Sequence, residues 1–193
     1  SMVDSVCLLV DAVDGPMPQT RFVTQKAFDQ GLSPIVMVNK IDRPAARPDW
    51  VIDQVFDLFD TLGATDKQLD FPIIYASALQ GIASLNLEHA AEDMNPFFET
   101  VIEHTPSPQV NLEGYFQMQI SALDYDTYTG VIGIGRIERG QVAKNTAVKI
   151  IDRDNDIRSG RILDILKYNG LDRMSVKTAS AGDIVCVTGL GML

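Results

Sequence analysis

The 193-residue sequence has only two cysteines, no long apolar run and no excess of positive charge. Cys7 and Cys186 lie far apart in apolar surroundings, which excludes the short spacing of a metal site or a redox pair. Both are expected to be reduced thiols buried in a core, as in the cytoplasm. No stretch approaches the ~18 apolar residues of a membrane span, and Asp4 precedes the first apolar run, unlike a signal peptide. The sequence therefore predicts a soluble, cytoplasmic protein without a membrane contact.

Negative charge is concentrated in one part of the chain. Residues 1–106 carry 16 acidic and 6 basic side chains, whereas residues 107–193 carry 10 of each. The change coincides with Thr105-Pro106-Ser107-Pro108, whose two prolines favour an extended connector. We predict two domains, residues 1–106 and residues 107–193. Neither has the basic excess of a DNA-binding domain, so DNA is not an expected partner, and any contact with RNA would need a local basic patch.

A short apolar strand followed by a polar tetrad is the most informative segment of the chain. The strand is Ile35–Val38, and it leads directly into Asn39-Lys40-Ile41-Asp42. Pro34 and Pro44 bound the segment on both sides, and proline cannot continue a sheet ladder. Such a strand places the tetrad at a carboxyl edge, which is where open α/β sheets bind ligands.

The tetrad has the groups that recognise guanine. Guanine presents an N1–H and a 2-amino group side by side, and the carboxylate of Asp42 can accept from both, which adenine cannot match. Asn39 has a donor and an acceptor, so it can reach the other edge of the base while tying neighbouring loops together. The methylene stem of Lys40 can lie over the base plane, and Ile41 would pack inward. The alternative is an ordinary polar turn, because N-K-x-D is a short pattern.

A second motif, Ser77-Ala78-Leu79, follows the next apolar run at residues 72–76. The order of strand, tetrad, helix, strand and S-A-L resembles that of guanine-nucleotide-binding proteins. In those proteins this loop supplies a serine that holds the aspartate of the tetrad and a backbone N–H that reaches the guanine oxygen. The resemblance implies a guanine site without metal ligands, made of Asn39, Lys40, Asp42, Ser77, Ala78 and Leu79.

The rest of residues 1–106 alternates strand and helix patterns. Ser5–Ala12 is almost continuously apolar and predicts a strand buried on both faces of a parallel sheet. Gln19–Gln30 has helical spacing, and Asp49 is the expected N-cap of a second helix. Residues 80–94 predict an irregular segment, after which Asn95-Pro96 predicts an N-cap and the first residue of a helix. The first domain is therefore predicted to be a parallel sheet with flanking helices.

From Leu112 onward the pattern changes to short apolar runs separated by turn residues. The runs are Tyr115–Leu123, Gly130–Arg139, Ala147–Asp152, Ile157–Tyr168 and Asp183–Thr188. Hairpin turns are predicted at residues 153–156 and at Asn169-Gly170. The second domain is therefore predicted to be an all-β antiparallel barrel or sandwich.

Three features that suggest chemistry are better explained as structure. Gly130–Arg136 contains G-x-x-x-x-G but lacks the lysine and the serine or threonine of a phosphate loop, so its glycines predict close packing in a strand. Residues 60–63 match D-x-x-G by chance, because Gly63 is the expected C-terminal cap of a helix. The two histidines, His89 and His104, have no evident chemical partner and are expected to be surface or packing residues.

Over essentially its whole length, the chain resembles translational GTPases, and most closely the TypA/BipA family. The resemblance is carried by residues 11–22, the tetrad with Arg43-Pro44, residues 47–50, Phe71–Leu79 and residues 116–120. It implies a protein that binds GTP or GDP with Mg²⁺, hydrolyses GTP, and contacts rRNA and ribosomal proteins. For the fold, it implies an α/β partial P-loop-type G domain with a truncated parallel sheet, followed by a β-barrel like domain II of translation factors.

Several parts of that family pattern are missing from the sequence. It contains no G-x-x-x-x-G-K-[ST] loop, no switch threonine loop and no D-x-x-G switch at the family position. The resemblance then implies a fragment that keeps the guanine motifs, has no catalytic residue, is inactive alone and holds no nucleotide tightly. Two alternatives stay open, a non-catalytic module that binds the ribosome or a protein, and a GTPase similar to elongation factor G. Residues 15–18 and 47–50 favour TypA/BipA over the latter.

Overall fold

The structure is a computed structural model that describes residues 2–88 and 92–191. The described chain forms two compact units, one spanning Val3–Ser107 and the other beginning at Pro108. In the described part of the chain, no helix is long and apolar enough to cross a membrane. His104 ends a helix with 44% of its side chain exposed, which fits a surface residue. The expectation for His89 concerns a position outside the described residues.

The first unit is an α/β fold built on one sheet. Its elements are β1 (Ser5–Asp11), α1 (Pro18–Asp29), β2 (Ser33–Asn39), α2 (Pro48–Thr61), α3 (Asp66–Leu69), β3 (Ile73–Ser77), β4 (Ile82–Ser84) and α4 (Asn95–His104). Within the described residues the strand order is β1-β2-β3-β4. β1, β2 and β3 run parallel, as predicted, whereas β4 pairs antiparallel with β3 in a segment that was predicted to be irregular.

β2 lies between β1 and β3 and contributes to the cores on both faces of the sheet. Residues 35–38 alternate between those faces, and each is at most 6% exposed. The strand begins earlier than predicted, because Pro34 lies inside it and pairs with Val6 of β1. The N–H of Val36 points towards β3 and donates to the carbonyl of Pro72 at 3.0 Å. The nitrogen of Pro34 faces the same side, ahead of the first β2–β3 pair, so its missing N–H costs no ladder hydrogen bond.

β1 is not buried on both faces, which corrects the sequence prediction. Leu8 and Val10 are buried against the core formed with α1 and α2, whereas Leu9 is 57% exposed and Cys7 is also exposed. The reason is that α4 packs against the residues of β2, β3 and β4 on that second face and leaves β1 uncovered. The prediction of a core thiol is therefore wrong for Cys7 and confirmed for Cys186, which is buried.

Three helices begin at residues other than those predicted, and the smallest shift is in α1, which begins at Pro18 rather than Gln19. In α2 the N-cap is Arg47 and the first helical residue is Pro48, so Asp49 is not the N-cap. Proline is favoured at this position because the first N–H groups of a helix have no partner within it, and the carboxylate of Asp49 still complements the positive end of the helix. In α4 the N-cap is Met94, and Asn95 is already helical, so the predicted N-cap is wrong by one residue.

The second unit consists of antiparallel sheets. Its strands are β5 (Gln117–Asp126), β6 (Gly130–Arg139), β7 (Gln141–Ala143), β8 (Thr146–Ile151), β9 (Ile157–Ile162), β10 (Ile165–Asn169), β11 (Asp172–Val176), β12 (Thr178–Ser180) and β13 (Ile184–Thr188). In the described residues a five-stranded sheet has the order β11-β10-β13-β6-β5, and the pairs β7–β12 and β8–β9 accompany it. The predicted run Ile157–Tyr168 is two strands, and the sequence did not predict β7, β11 or β12.

The five-stranded sheet is strongly curved. Its outer strands, β5 and β11, are four strand spacings apart, about 19 Å if the sheet were flat. Arg173 of β11 nevertheless donates to the carboxylate of Asp124 on β5 at 2.7 Å, and this bond holds the pKa of Asp124 below its usual range. An arginine side chain spans the distance only if the sheet curls towards itself. The predicted antiparallel architecture is confirmed, and a closed barrel stays a prediction.

Both motifs that resemble phosphate-site patterns have structural roles. The glycine-rich segment Gly130–Arg136 is part of β6, and no helix follows it within the described residues up to position 191. A Cβ added at Gly135 would collide with the backbone oxygen of Gln119 on β5, so the expected close packing is confirmed. Residues 60–63 lie at the end of α2, where Gly63 has a φ of +72°, as expected of a helix terminus.

Candidate nucleotide-binding site

The six residues of the predicted guanine site lie at one edge of the first sheet. Asn39 is the last residue of β2 and Ser77 is the last residue of β3, and these neighbouring strands are parallel. Parallel strands end at the same edge of a sheet, so the tetrad and the S-A-L turn emerge side by side. The structure therefore brings together two segments that are separated by α2 and α3 in the sequence.

Asn39 joins the two loops directly. Its side-chain oxygen accepts a hydrogen bond from the backbone N–H of Ala78 at 3.0 Å. Two residues later, the N–H of Ile41 donates to the carbonyl of Ala76 at 3.3 Å, and the side chain of Ile41 packs against the core below. The amide N–H₂ of Asn39 is not used in these contacts, and it remains available as a donor.

Ser77 stabilises its own turn. Its side chain is fully buried at 0% exposure, and its hydroxyl oxygen accepts from the backbone N–H of Gln80 at 3.3 Å. Among the described residues, Ser77 forms no hydrogen bond with Asp42, so the serine–aspartate contact implied by the resemblance is absent from this structure. Leu79, the last residue of the motif, is 87% exposed and does not contribute to a core.

Asp42 has a carboxylate with free acceptor capacity. The side chain is partly buried, and within the described residues it makes no hydrogen bond or ion pair. An ionised carboxylate has about four lone-pair sites and is an acceptor only. The arrangement at this sheet edge can therefore accept two neighbouring N–H donors from a ligand.

Lys40 is held by a residue that sequence reasoning missed. Its backbone has a φ of +70°, a left-handed conformation that is uncommon for a residue with a side chain. Its ammonium group donates to the carboxylate of Asp11, the last residue of β1. This hydrogen bond, together with one from the N–H of Val13, lowers the pKa of Asp11 below its usual value. One feature of the sequence could have identified Asp11 as a partner of Lys40. Asp11 is an acidic residue at the end of the adjacent parallel strand, where it pairs with Asn39.

Arg47 and Trp50 support the turn that follows Asp11. Arg47 donates its backbone N–H to the carbonyl of Ala12 at 2.8 Å and a guanidinium N–H to that of Val13 at 3.0 Å. The guanidinium also lies 3.9 Å from the centre of the Trp50 ring, in a cation–π contact. A Cβ at Gly15 would be 3.1 Å from that ring, and Gly15 has a φ of +71°, so this position is suited to glycine. Arg47 and Trp50 belong to the residues on which the family resemblance was based. Their contacts with the turn after Asp11 became evident only from the structure.

The described residues contain no group of three or more histidine, cysteine, aspartate or glutamate side chains that could hold a metal ion. The polar groups at this edge are instead suited to the base of a nucleotide, because they combine the carboxylate of Asp42 with the amide N–H₂ of Asn39, whose oxygen is held by Ala78.

Residues 1–107 match the elongation factor Tu GTP-binding domain family. The chain belongs to this family. Over all 193 residues it is 62% identical to the large ribosomal subunit assembly factor BipA of Escherichia coli strain K12, of which it covers 32%. It is 63% identical to the BipA of Haemophilus influenzae, of which it covers 31%. The predicted resemblance to TypA/BipA is thus confirmed within this family, and the chain spans about a third of the length of these relatives.

A solved structure supports the fold of this family member. The apo form of translation elongation factor SelB from Methanococcus maripaludis matches 100% of the chain and 38% of the SelB chain, with a TM-score of 0.73. The sequences are 22% identical, so the likeness concerns the fold alone. It fits an α/β unit followed by antiparallel sheets.

Proposed function

We propose that this chain provides the base-binding half of the nucleotide site of a translational GTPase, in which residues 1–106 belong to the GTP-binding domain and residues 107–193 to a β-barrel domain II. The observation that carries the proposal is the hydrogen bond from the N–H of Ala78 to the side-chain oxygen of Asn39. It joins the tetrad and the S-A-L turn at one sheet edge, next to the unpaired carboxylate of Asp42 in the described structure.

Each group at this edge has a role in recognising guanine. Asp42 accepts from N1–H and the 2-amino group, and this two-point contact selects guanine over adenine. Asn39 offers its N–H₂ to the other edge of the base. The N–H of Ala78 already donates to Asn39, so another backbone N–H of the Ser77–Leu79 turn serves the guanine oxygen. The methylene stem of Lys40 covers one face of the base. Ser77 keeps the turn in place through Gln80.

The phosphate half of the site is not encoded in these 193 residues, which contain no G-x-x-x-x-G-K-[ST] sequence. In such GTPases that loop holds the phosphates together with Mg²⁺ and supplies most of the affinity and the catalysis. We therefore propose that the full-length gene product binds GTP or GDP with Mg²⁺ and hydrolyses GTP. Any catalytic residue would belong to that longer product. The relatives are named large ribosomal subunit assembly factors, and we propose that this product likewise contacts rRNA and ribosomal proteins.

Substitution Asp42→Asn in the full-length gene product tests the base site. An asparagine amide can donate to the 2-carbonyl of xanthine but cannot accept from both donors of guanine. A bidentate base contact is worth roughly 1–3 kcal/mol, so the affinity for GDP is expected to fall about 5- to 150-fold while that for xanthosine diphosphate rises. Fluorescence titration with labelled nucleotides measures both affinities.

A matched control is Asp53→Asn, because Asp53 is an exposed carboxylate on α2 and, in the part of the chain that the structure describes, makes no hydrogen bond or ion pair with the proposed site. It is expected to leave both affinities unchanged. If Asp42→Asn weakens GDP and xanthosine diphosphate equally, Asp42 is structural. If the unmodified protein does not prefer GDP over ADP, the proposed guanine site is wrong, and the alternative of a non-catalytic binding module gains support.

A further inference from the structure

The two carboxylate oxygens of Asp11 have separate partners. Oδ1 accepts from the backbone N–H of Val13 at 2.8 Å and, more weakly, from that of Asp14 at 3.4 Å. Oδ2 accepts from the ammonium group of Lys40. One oxygen therefore caps the turn after β1, while the other contacts a residue of the tetrad that is 29 positions away in the sequence. This division of contacts makes it possible to change one without the other.

Lys40 needs such a partner if it is to occupy one position. A lysine side chain is flexible and carries about 2 kcal/mol of rotamer entropy, and 49% of the Lys40 side chain is exposed to solvent. The Asp11 side chain is only 19% exposed and is fixed by the hydrogen bonds of its Oδ1. In the described structure Lys40 is the only cation bonded to Asp11, since the guanidinium of Arg47 is directed to the carbonyl of Val13 and to Trp50.

We propose that Asp11 is a positioning residue of the guanine site, which acts by anchoring the ammonium group of Lys40 so that the stem of Lys40 is ordered before the base binds. The proposal rests on the proposed function of the tetrad. β1 and β2 end side by side, with Asp11 paired to Asn39, so an anchored Lys40 stem spans the ends of these two strands. An ordered stem no longer loses its conformational freedom when the nucleotide binds, and this raises affinity.

The test is the substitution Asp11→Asn in the full-length gene product. The asparagine oxygen can still accept from the N–H of Val13, but the amide N–H₂ that replaces Oδ2 cannot accept from Lys40. Ordering one flexible side chain is worth a roughly 2- to 10-fold change in affinity. We expect the dissociation constant for GDP to rise by that factor, with an unchanged preference for GDP over xanthosine diphosphate because Asp42 is intact. The thermal unfolding midpoint should remain close to that of the unmodified protein.

A double-mutant cycle with Lys40→Ala distinguishes positioning from a structural role. If Asp11 acts through Lys40, Asp11→Asn causes no further loss of GDP affinity in the Lys40→Ala background. A loss of the same size in both backgrounds, or no loss in the single variant, overturns the proposal. Asp11→Ala is the comparison for the turn, because it removes the cap of Val13 as well and is expected to lower the unfolding midpoint.

The outcome separates this proposal from the guanine site itself. An unmodified protein that prefers GDP over ADP, combined with an unaffected Asp11→Asn variant, leaves the base site standing and refutes the role of Asp11. An unmodified protein without that preference refutes the base site, and the role of Asp11 with it.

Discussion

At the scale of single residues, two glycines of this protein are required for different physical reasons. Gly135 lies within β6 between β5 and β13, and an added Cβ would collide with the backbone of Gln119. Gly170 follows β10 in a hairpin turn with a φ of +63°, and an added Cβ would meet nothing within 4 Å. The first position requires glycine for space, and the second requires it for backbone conformation.

These two positions predict different costs for the same substitution. Gly135→Ala forces backbone to move in the middle of a sheet and is expected to lower the free energy of unfolding of the second unit by about 3 kcal/mol or more. Gly170→Ala, the matched control, should cost about 1–2 kcal/mol, the usual penalty for a left-handed L-residue. Chemical denaturation of both variants measures the difference. Equal costs would show that the β5–β6 contact at Gly135 is not tight.

At the scale of secondary-structure elements, β1 shows that an apolar run does not by itself determine burial. Within the described residues β1 pairs on one side only, with β2. Its exposed face includes Leu9, because α4 covers the neighbouring strands but not this one. An unpaired strand edge next to exposed apolar side chains favours association between chains.

We therefore expect the 193-residue chain to self-associate at high concentration through β1, and Leu9→Lys to shift it towards the monomer. A lysine at this exposed position keeps its charge in water and opposes packing between copies. The matched control is Val23→Lys on α1, where an apolar side chain is also exposed, at 49%. Light scattering across a concentration series gives the molar mass. A wild-type chain that is monomeric throughout, or an equal effect of the two variants, would contradict this role of β1.

At the scale of the whole molecule, the net negative charge and the lack of a phosphate-loop motif both limit nucleotide binding. The net charge of −10 is located entirely in residues 1–106, the part that contains the tetrad. That charge disfavours a polyphosphate anion, and the sequence contains no phosphate loop to compensate for it. Any affinity of the chain must then come from the base contacts, and the entropy lost on immobilising a small ligand can cancel one or two hydrogen bonds.

We expect the chain to bind GTP weakly or not at all, with a dissociation constant well above micromolar, and to release no phosphate above the buffer rate. Guanosine is the matched ligand, because it has the base without the phosphates. Titration calorimetry with each ligand in the presence of Mg²⁺ should give equally weak binding. A micromolar constant for GTP, or much tighter binding of GTP than of guanosine, would reveal a phosphate contact within these residues.

The local sequence determined much of the fold, because periodicity and turn residues report on conformation within a few positions. It predicted β2, the helix end at Gly63, the exact bounds of β6 and the strand character of its glycines. It failed for the start of α2 and for short strands such as β4 and β12, in which three residues carry too little pattern. The order of strand, tetrad, helix, strand and S-A-L, together with the family resemblance, placed the six residues in one predicted site. The parallel pairing of β2 with β3 ends both motifs at one sheet edge.

Only the tertiary structure decided which side chains contact one another across that edge. Asn39 bonds to Ala78, 39 residues away, and Lys40 bonds to Asp11, 29 residues away. The exposure of Cys7 likewise depends on where α4 packs. Such contacts depend on the relative placement of elements distant in sequence, and a residue's local pattern does not encode which distant partner it meets. The tetrad is therefore recognisable in the sequence, whereas the bond between Lys40 and the carboxylate of Asp11 is seen only in the structure.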